Sequence, residues 1–371
     1  MSQQNNTESS AATTAATQPS VPAYNLLGSS GLRVFPLCLG TMGFGQNPIT
    51  KTFGIGGSDE ESEKILLKYL EIGGNFIDTA NFYAIGKSEE LIGNLIKKHN
   101  LNRDELIIAT KFSLPMTQHA NGGGNHKKNL IQSLDASLKR LQLDYVDLFY
   151  VHFWDFTVDA KQLIIWLDEI VKSGKVLHVA VSDMPAYQVA IANTYAEDHG
   201  LTKFVAYQGR YSLVDRALEQ EIIPMTKSLD LGTVPWGVLG AGKLTGKKLR
   251  NQEEKSETER KFVEMSQTDY DIQDVVIEIA KELNRTPSQV AINWMISQGV
   301  SSVLIGPRTL EQFEDNIKSL EFRLNQEQLK RLNQVSANSP SLIFPYNFIG
   351  QDTQSASMLY FNGNKFSINK K

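Results

Sequence analysis

The sequence predicts an α/β protein of the (β/α)8 TIM barrel type, in which eight parallel strands form a ring inside a layer of helices. The first observation behind this prediction is a series of eight short runs rich in apolar and β-branched residues. The second is that amphipathic stretches with helical periodicity separate these runs. The third is that "LGTMGFGQN", which follows the first run, lacks the G-x-G-x-x-G spacing that a doubly wound dinucleotide-binding sheet has there. The barrel is therefore favoured over the doubly wound sheet.

The predicted strands lie between residues 34 and 306. They are "VFPLCLG" (34–40), "NFIDTA" (75–80), "ELIIATK" (105–111), "YVDLFYVH" (145–152), "VLHVAVS" (176–182), "FVAYQ" (204–208), "TVPWG" (233–237) and "SVLIG" (302–306). Two of the stretches between them show the helical pattern clearly. "DEESEKILLKYLEIGG" has carboxylates in its first turn and Gly73 at its end. "NHKKNLIQSLDASLKRLQ" places Leu130, Leu134, Leu138 and Leu141 on one stripe.

The predicted domain organisation is a barrel over residues 23–338 with a segment at each end. Residues 1–22 are small and polar with no Lys or Arg, so we expect a disordered tail rather than a secretion signal or transit peptide. "YNLLGSSGLRV" has a Gly-Ser-Ser-Gly turn between apolar flanks and predicts a hairpin that plugs the bottom of the barrel. Residues 339–371 contain aromatic residues among Asn, Gly and Ser, and predict a C-terminal extension that is either packed on the barrel or a lid.

Composition excludes several classes of partner. A net charge of -4 and a pI near 5.9 give no general attraction to nucleic acid or to anionic lipid. No run of about 18 apolar residues offers a membrane span. The single cysteine, Cys38, lies in an apolar stretch and is expected to be a buried structural thiol, which suits a reducing, cytoplasmic compartment.

Four polar residues lie at or near the ends of consecutive predicted strands, which is where a barrel of this type carries its chemistry. They are Asp78, Tyr83, Lys111 and His152, and the six histidines show no metal-ligand spacing. Each alone is explained by capping, packing or solvation, but together they fit the protonation of a carbonyl oxygen as hydride reaches its carbon. Tyr83 is a weak acid whose pKa a nearby ammonium, Lys111, is expected to lower. Asp78 would hold Lys111 charged, and His152 would orient the carbonyl oxygen or assist proton delivery.

A glycine-rich stretch, "PWGVLGAGKLTG" (235–246), comes one residue away from a nucleotide-triphosphate loop. The G-x-x-x-x-G-K spacing runs from Gly237 to Lys243, but Leu244 stands where that loop needs Ser or Thr to hold magnesium. We therefore expect a different phosphate ligand, next to a flat group that stacks on Trp236. A second glycine-rich stretch, "NGGGNHKK" (121–128), either binds an anion at a helix N-terminus or forms a flexible loop at the barrel mouth, and the loop is favoured.

In the order of its motifs the sequence resembles the aldo-keto reductases. "LGTM", "FIDTANFY", "ATKF", "VDLFYVH", "QGRYSL" and "IGPRTLEQFEDN" occur in the family's order over residues 24 to about 336. The resemblance implies a barrel that binds a nicotinamide dinucleotide without a Rossmann domain, and it carries the catalytic tetrad over to Asp78, Tyr83, Lys111 and His152. "GGGNHKKNL", "VHFWD" and "VSDMPAYQV" look most like the fungal aryl-alcohol dehydrogenase and norsolorinic acid reductase branch. Aryl aldehydes and related alcohols are therefore the implied substrates.

The resemblance also implies a set of cofactor-binding residues. Trp236 would stack on the nicotinamide, and the following loop would wrap the pyrophosphate, with Lys243 adding a positive charge. An arginine beside the adenosine ribose suggests a preference for NADP(H) over NAD(H). The implied residues are Gly40, Thr41, Met42, Asp78, Ser182, Asp183, Gln208, Trp236, Gly237, Leu239, Gly240, Gly242, Lys243, Arg308, Gln312 and Asn316. Position 183 is commonly Asn in the family, and the Asp here is typical of the branch.

Two further expectations concern the mouth. Phe44, Phe153 and Trp154 either line a pocket for a flat substrate or belong to the core. Residues 247–271 are densely charged, and we expect a mobile lid that orders over bound dinucleotide.

The leading function is the reduction of aldehydes or ketones. The alternative is a cofactor-sensing binding subunit, because barrels that resemble this family also serve as potassium-channel β subunits.

Overall fold

The protein forms a nearly closed barrel of eight parallel strands. A computed structural model describes residues 23–46, 56–250 and 264–337. The barrel strands are β3 (Leu37–Gly40), β4 (Phe76–Asp78), β5 (Ile107–Phe112), β6 (Val146–Val151), β7 (Val176–Ser182), β8 (Phe204–Arg210), β9 (Gly232–Trp236) and β10 (Val303–Ile305). They follow one another in chain order around the ring, and β10 pairs with β3. The Ser301 N–H donates to the Thr233 carbonyl at 2.9 Å and brings β9 beside β10. The predicted (β/α)8 fold is confirmed.

Helices surround the strands, and side chains cap most of their N-termini. In the described residues they are α1 (Asp59–Glu71), α2 (Lys87–Lys98), α3 (Lys127–Leu141), α4 (Ala160–Lys172), α5 (Ala186–Asp198), α6 (Ile222–Ser228), α7 (Gln267–Leu283), α8 (Pro287–Ser297), α9 (Leu310–Ile317) and α10 (Gln326–Val335). Ser58 caps α1 through its hydroxyl, and Thr286 caps α8 with Pro287 at the first helical position. The leucine stripe predicted for residues 127–141 faces the core, where Leu130, Leu134, Leu138 and Leu141 are buried.

The predicted N-terminal hairpin is present and lies under the barrel. Its strands, β1 (Asn25–Leu26) and β2 (Arg33–Val34), pair antiparallel. Its turn lies so close to the start of β9 that a Cβ on Gly28 would come 2.4 Å from the Gly232 nitrogen, and Gly28 has a φ of +52°. Only glycine fits this position, so the hairpin can seal the lower end of the barrel.

The barrel interior is filled in layers because alternate residues of each strand point inward. The lower layers are apolar or small and include Cys38, Phe76, Ala109, Leu148 and Ala180. Two residues further along their strands, Asp78, Lys111 and Ser182 end the inward rows at the carboxyl edge of the ring. Cys38 is buried as predicted, and burial raises the pKa of its thiol well above the ordinary value.

Most predicted strand ends differ from the observed ends by one or two residues, and two differences are larger. The first barrel strand begins at Leu37 and not at residue 34, because Val34 pairs with Asn25 in the hairpin. The second difference concerns the predicted lid over residues 247–271. Its last residues are helical, because Ser266 and Asp269 form a capping box at the start of α7. The part of the lid at 251–263, the tail at 1–22 and the extension at 339–371 lie outside the described residues.

No helix in the described part of the chain is long and apolar enough to cross a membrane.

Candidate active site

A buried ammonium lies at the centre of the carboxyl edge of the barrel. Lys111 Nζ is 2.5 Å from Asp78 Oδ1 and donates to the Tyr83 hydroxyl at 3.2 Å. It also donates to the Thr79 carbonyl at 2.9 Å. The side chains of Lys111 and Asp78 are fully buried. A buried ion pair needs further hydrogen bonds to offset its lost hydration, and Gln208 provides one by donating from Nε2 to Asp78 Oδ2 at 2.9 Å.

The electrostatics of Tyr83 differ from the sequence-based expectation. Lys111 does lower the pKa of the Tyr83 phenol, but burial raises it by more, and the net pKa lies above the ordinary value. Burial also lowers the pKa of Lys111, but Asp78 and Tyr83 together raise it above its usual value. The expected lowering of the Tyr83 pKa is therefore wrong for this state of the protein. Much of the Lys111 charge is engaged by Asp78, and desolvation of the phenolate outweighs what remains.

His152 completes the group as a neutral side chain. Its ring lies edge-on to the Tyr83 ring, with centroids 5.8 Å apart and an interplanar angle of 81°. Burial, helped by the Lys111 charge, lowers the pKa of His152 to about 3. Its Nδ1 is buried without a partner among the described residues. At neutral pH the ring therefore carries one N–H and no charge.

A second layer of polar residues supports the strand ends. The Thr41 hydroxyl donates to the Asp78 carbonyl at 2.9 Å and lies 2.9 Å from the Ser88 hydroxyl. Behind it, the fully buried Glu89 accepts from Thr110 and pairs with Arg140 at 2.7 Å. Sequence reasoning missed Ser88, Glu89 and Arg140, because nothing in a surface-like "KSEE" or "LKRL" pattern shows that a Glu on α2 and an Arg on α3 face each other beneath a strand.

One large cavity opens above this group and extends across the carboxyl edge of the barrel. Its volume is about 1150 Å³. It reaches from Tyr83 and His152 at one side to the loop after β10 at the other. The predicted site residues that line it are Gly40, Met42, Asp78, Tyr83, His152, Ser182, Asp183, Gln208, Trp236, Gly237, Leu239, Gly242, Arg308, Gln312 and Asn316.

The remaining predicted residues lie off the cavity surface. Lys111 lies beneath the floor and Thr41 in the second layer. Phe44 and Trp154 are buried at 1% and 5% exposure in the hydrophobic core, so the core interpretation holds for both. Phe153 and Gly240 are not among the lining residues, and neither is Lys243, whose ammonium pairs with Asp269 at 2.6 Å.

The side chains of Trp236 and Asp183 are hydrogen-bonded to each other, and both residues line the cavity. The indole Nε1 donates to Asp183 Oδ1 at 3.3 Å. Asp183 has a left-handed backbone (φ 44°), which Asp tolerates better than most residues. Burial raises the pKa of its carboxyl to about 6, while the Trp236 N–H, Lys111 and Arg210 act in the opposite direction.

The glycine-rich loop after β9 is already shaped by its own hydrogen bonds. The N–H groups of Gly240, Gly242 and Lys243 donate to the carbonyls of Gly237, Leu239 and Gly240 at 2.8–3.2 Å. Gly242 has a φ of +106°, and a Cβ on Gly240 would come 2.6 Å from Val214. Glycine is required at both positions, so the chain can curl tightly beside the cavity.

The second glycine-rich stretch forms a loop that leads into α3. His126 caps this helix, with Nδ1 accepting from the Asn129 N–H at 3.2 Å, and Asn125 N–H donates to Asp155 at 2.8 Å. The stretch is thus a loop that ends in a side-chain cap at the start of α3. No group of three or more His, Cys, Asp or Glu side chains suited to a metal ion occurs in the described ranges.

The cavity is lined by an indole ring, by polar and charged side chains and by a glycine-rich loop. Trp236 and the buried amide of Gln208 lie near the tetrad, the curled glycine loop follows, and Arg308 and Asn316 lie at the far side. The model of the aldo/keto reductase family matches residues 36–337 of the chain. The chain belongs to the aldo/keto reductase family. It is therefore an oxidoreductase whose family acts on small-molecule substrates.

Curated relatives of this aldo/keto reductase include fungal enzymes. Norsolorinic acid reductase from Aspergillus flavus is 36% identical over 347 residues, covering 91% of this chain and 86% of that protein. The putative aryl-alcohol dehydrogenase AAD14 of Saccharomyces cerevisiae is 35% identical, covering 87% of this chain and 88% of that protein. Aryl-alcohol dehydrogenase GME11368 of Pestalotiopsis microspora is 35% identical, covering 90% and 88%. The predicted resemblance to this fungal branch is confirmed.

Proposed function

We propose that this aldo/keto reductase reduces aldehydes or ketones to alcohols with NADP(H), and that Tyr83 is the proton donor. The observation that carries the proposal is the Tyr83 hydroxyl, which accepts a hydrogen bond from the buried Lys111 ammonium and belongs to a residue that lines the cavity. A phenol held protonated by burial, next to a fixed positive charge, is suited to donate a proton and to be stabilised once it has done so.

Each member of the tetrad has a separate task. Tyr83 gives its proton to the carbonyl oxygen, and Lys111 stabilises the phenolate that forms 3.2 Å away. Asp78 keeps Lys111 charged and aimed. His152, neutral at working pH, donates its N–H to the same carbonyl oxygen and orients it. A nicotinamide dinucleotide would supply the hydride.

The lining residues divide the cofactor site into three parts. Ser182, Asp183 and Gln208 would bind the carboxamide, with Trp236 against the ring. The loop around Gly237 and Gly242 would bind the pyrophosphate. Arg308, Gln312 and Asn316 would bind the adenosine end, where the Arg308 guanidinium suits the 2′-phosphate of NADP(H). Since the relatives include aryl-alcohol dehydrogenases, we propose aryl aldehydes as the substrate class.

The test removes one oxygen atom. Tyr83→Phe keeps the ring, and we expect single-turnover oxidation of NADPH by an aryl aldehyde to slow by about 10²-fold or more, the scale of general acid catalysis. NADPH affinity from fluorescence titration should change little. Tyr150→Phe is the matched control, because Tyr150 is also buried beside Lys111, with the ammonium 5.7 Å from its ring, and its hydroxyl has no partner among the described residues.

Unchanged oxidation in the Tyr83 variant would refute its role as the acid. Tight NADPH binding without turnover of any carbonyl compound by the wild-type protein would favour the cofactor-sensing alternative.

A further inference from the structure

Three consecutive residues directly after Tyr83 have left-handed backbones. Their φ angles are 49° at Ala84, 56° at Ile85 and 86° at Gly86. Glycine adopts this region freely, but for a β-branched residue such as Ile85 it is a costly conformation. A strained backbone persists only where its surroundings hold it, and such positions cluster at ligand-binding sites.

The turn is held by local hydrogen bonds and by packing against another helix. The Tyr83 N–H donates to the Ala80 carbonyl at 3.1 Å, and the Ile85 N–H donates to Phe82 at 2.9 Å. Gly86 packs so tightly that a Cβ would come 2.8 Å from Arg140 Cδ. Ala84 is buried, but Ile85 is 42% exposed and lines the cavity. The turn therefore holds an isoleucine in the mouth next to Tyr83.

Ile85 is part of an apolar wall. Met42, which is 39% exposed, Phe82 and Leu114 line the same cavity from the loops after β3, β4 and β5. These strands are neighbours in the sheet, so the three loops lie side by side. We call Met42, Phe82, Ile85 and Leu114 the mouth wall. On the other side, the end of β8 and the segments after β9 and β10 bring charged residues to the cavity, both basic (Arg210, Lys247, Arg308) and acidic (Glu311, Glu314, Asp315). The mouth is thus apolar on one side and carries charged side chains on the other.

We propose that Ile85 determines substrate specificity by giving the mouth wall an apolar surface that selects carbonyl compounds carrying a ring or long hydrocarbon group over small polar aldehydes. This inference rests on the proposed carbonyl reduction, and it identifies which residues recognise the part of the substrate that does not react. Apolar side chains that are exposed to water inside a cavity are stabilised when an apolar ligand covers them. A glycine at position 85 would relieve the backbone strain but would remove this surface.

The experiment compares Ile85→Ala and Ile85→Gly with the same changes at Ile131. Ile131 is the matched control, because it is also 42% exposed but lies on α3 and does not line the cavity. With saturating NADPH, we expect both Ile85 variants to raise KM for 2-naphthaldehyde by about tenfold, the scale of lost apolar contacts in a pocket. KM for acetaldehyde should change less than about twofold by the same reasoning. The Ile131 variants should leave both KM values unchanged.

Thermal melting supplies a readout without catalysis. The Ile85→Gly variant should have a higher melting temperature than the Ile85→Ala variant, because alanine keeps the Cβ that makes a left-handed backbone unfavourable. At Ile131, in a helix interior, the order should be reversed. An equal KM increase for both aldehydes, or no increase for either, would overturn the specificity role.

Binding of 2-naphthol to the protein mixed with NADP⁺, measured by NMR line broadening, separates this inference from the proposed function. If the wild-type protein turns over no aldehyde but Ile85→Ala still weakens naphthol binding, the proposed reduction fails and the mouth wall stands. If naphthol binds the wild type and the Ile85 variants equally, or does not bind the wild type, the mouth wall fails.

Discussion

The indole N–H of Trp236 donates to Asp183 Oδ1 at 3.3 Å, and both side chains line the cavity. This hydrogen bond restrains the rotation of an aromatic ring that would otherwise be held by packing alone. When ionised, the Asp183 carboxylate can only accept hydrogen bonds, and the indole N–H is a donor that suits it.

We predict that Asp183 and Trp236 act as a unit in cofactor binding. Asp183→Ala and Trp236→Phe should each raise the Kd for NADPH. The factor by which the double variant raises Kd should be smaller than the product of the two single factors. The expected coupling is about 1 kcal/mol, or roughly fivefold in Kd. Isothermal titration of the four proteins measures it, and Asp183→Asn, which keeps an acceptor oxygen, should show little loss. Independent, multiplicative effects would argue against the coupling.

We predict that no histidine titration appears in the rate between pH 5 and 9. Because burial holds the pKa of His152 near 3, the ring is already neutral throughout this range, and burial raises the pKa of Tyr83, which stays protonated. The profile of kcat/KM for an aryl aldehyde at saturating NADPH should be flat over this range. Asp183 has a pKa of about 6 and would add its own step, so the measurement is made in the Asp183→Asn variant. An inflection near pH 6.5 in that variant would show that His152 changes charge in the enzyme with NADPH bound, and would contradict the prediction.

We predict that Lys111→Met destabilises the fold because it removes the counter-ion of Asp78. Removing the ammonium leaves the fully buried Asp78 with Gln208 but without its counter-ion, which costs about 3 kcal/mol or more. Urea denaturation at pH 7 measures this loss. Adding Asp78→Asn, which removes the uncompensated charge and keeps the shape of the side chain, should restore most of the stability, whereas an unrestored loss would mean that the cost is one of packing.

We predict that Arg308 distinguishes the two nicotinamide dinucleotides. Arg308 lines the cavity beside Gln312, whose Oε1 accepts from the Arg308 N–H at 3.0 Å. Arg308→Ala should weaken NADPH binding by about tenfold or more and NADH binding much less, because a charge-assisted hydrogen bond contributes about 1.5–3 kcal/mol. Arg323→Ala is a suitable control, since Arg323 is exposed and donates only to nearby carbonyls in the described structure. A similar loss for both dinucleotides would contradict the 2′-phosphate assignment.

The sequence could predict the barrel and the positions of its polar strand ends because both follow from local patterns. Apolar runs with helical stretches between them imply parallel strands, and parallel strands in a ring bring their carboxyl ends to one edge. Asp78, Lys111 and His152 therefore had to lie near one another once the fold was known. The tight turn at Gly240 and Gly242 was visible for the same reason, since glycine marks a backbone requirement.

Only the tertiary structure decided the properties to which several residues far apart in the sequence contribute. The raised pKa of Tyr83 depends on burial by many segments outweighing one ammonium. The pairing of Lys243 with Asp269 and the burial of Phe44 and Trp154 depend on how helices and loops pack across the barrel edge. The left-handed Ile85 had no sequence signal at all, because an isoleucine predicts an ordinary extended or helical backbone. The order of the strands and the polar residues at their ends could thus be predicted from sequence periodicity. The protonation of buried groups, the set of residues that line the cavity and the backbone strain at Ile85 depend on contacts between residues far apart in the chain.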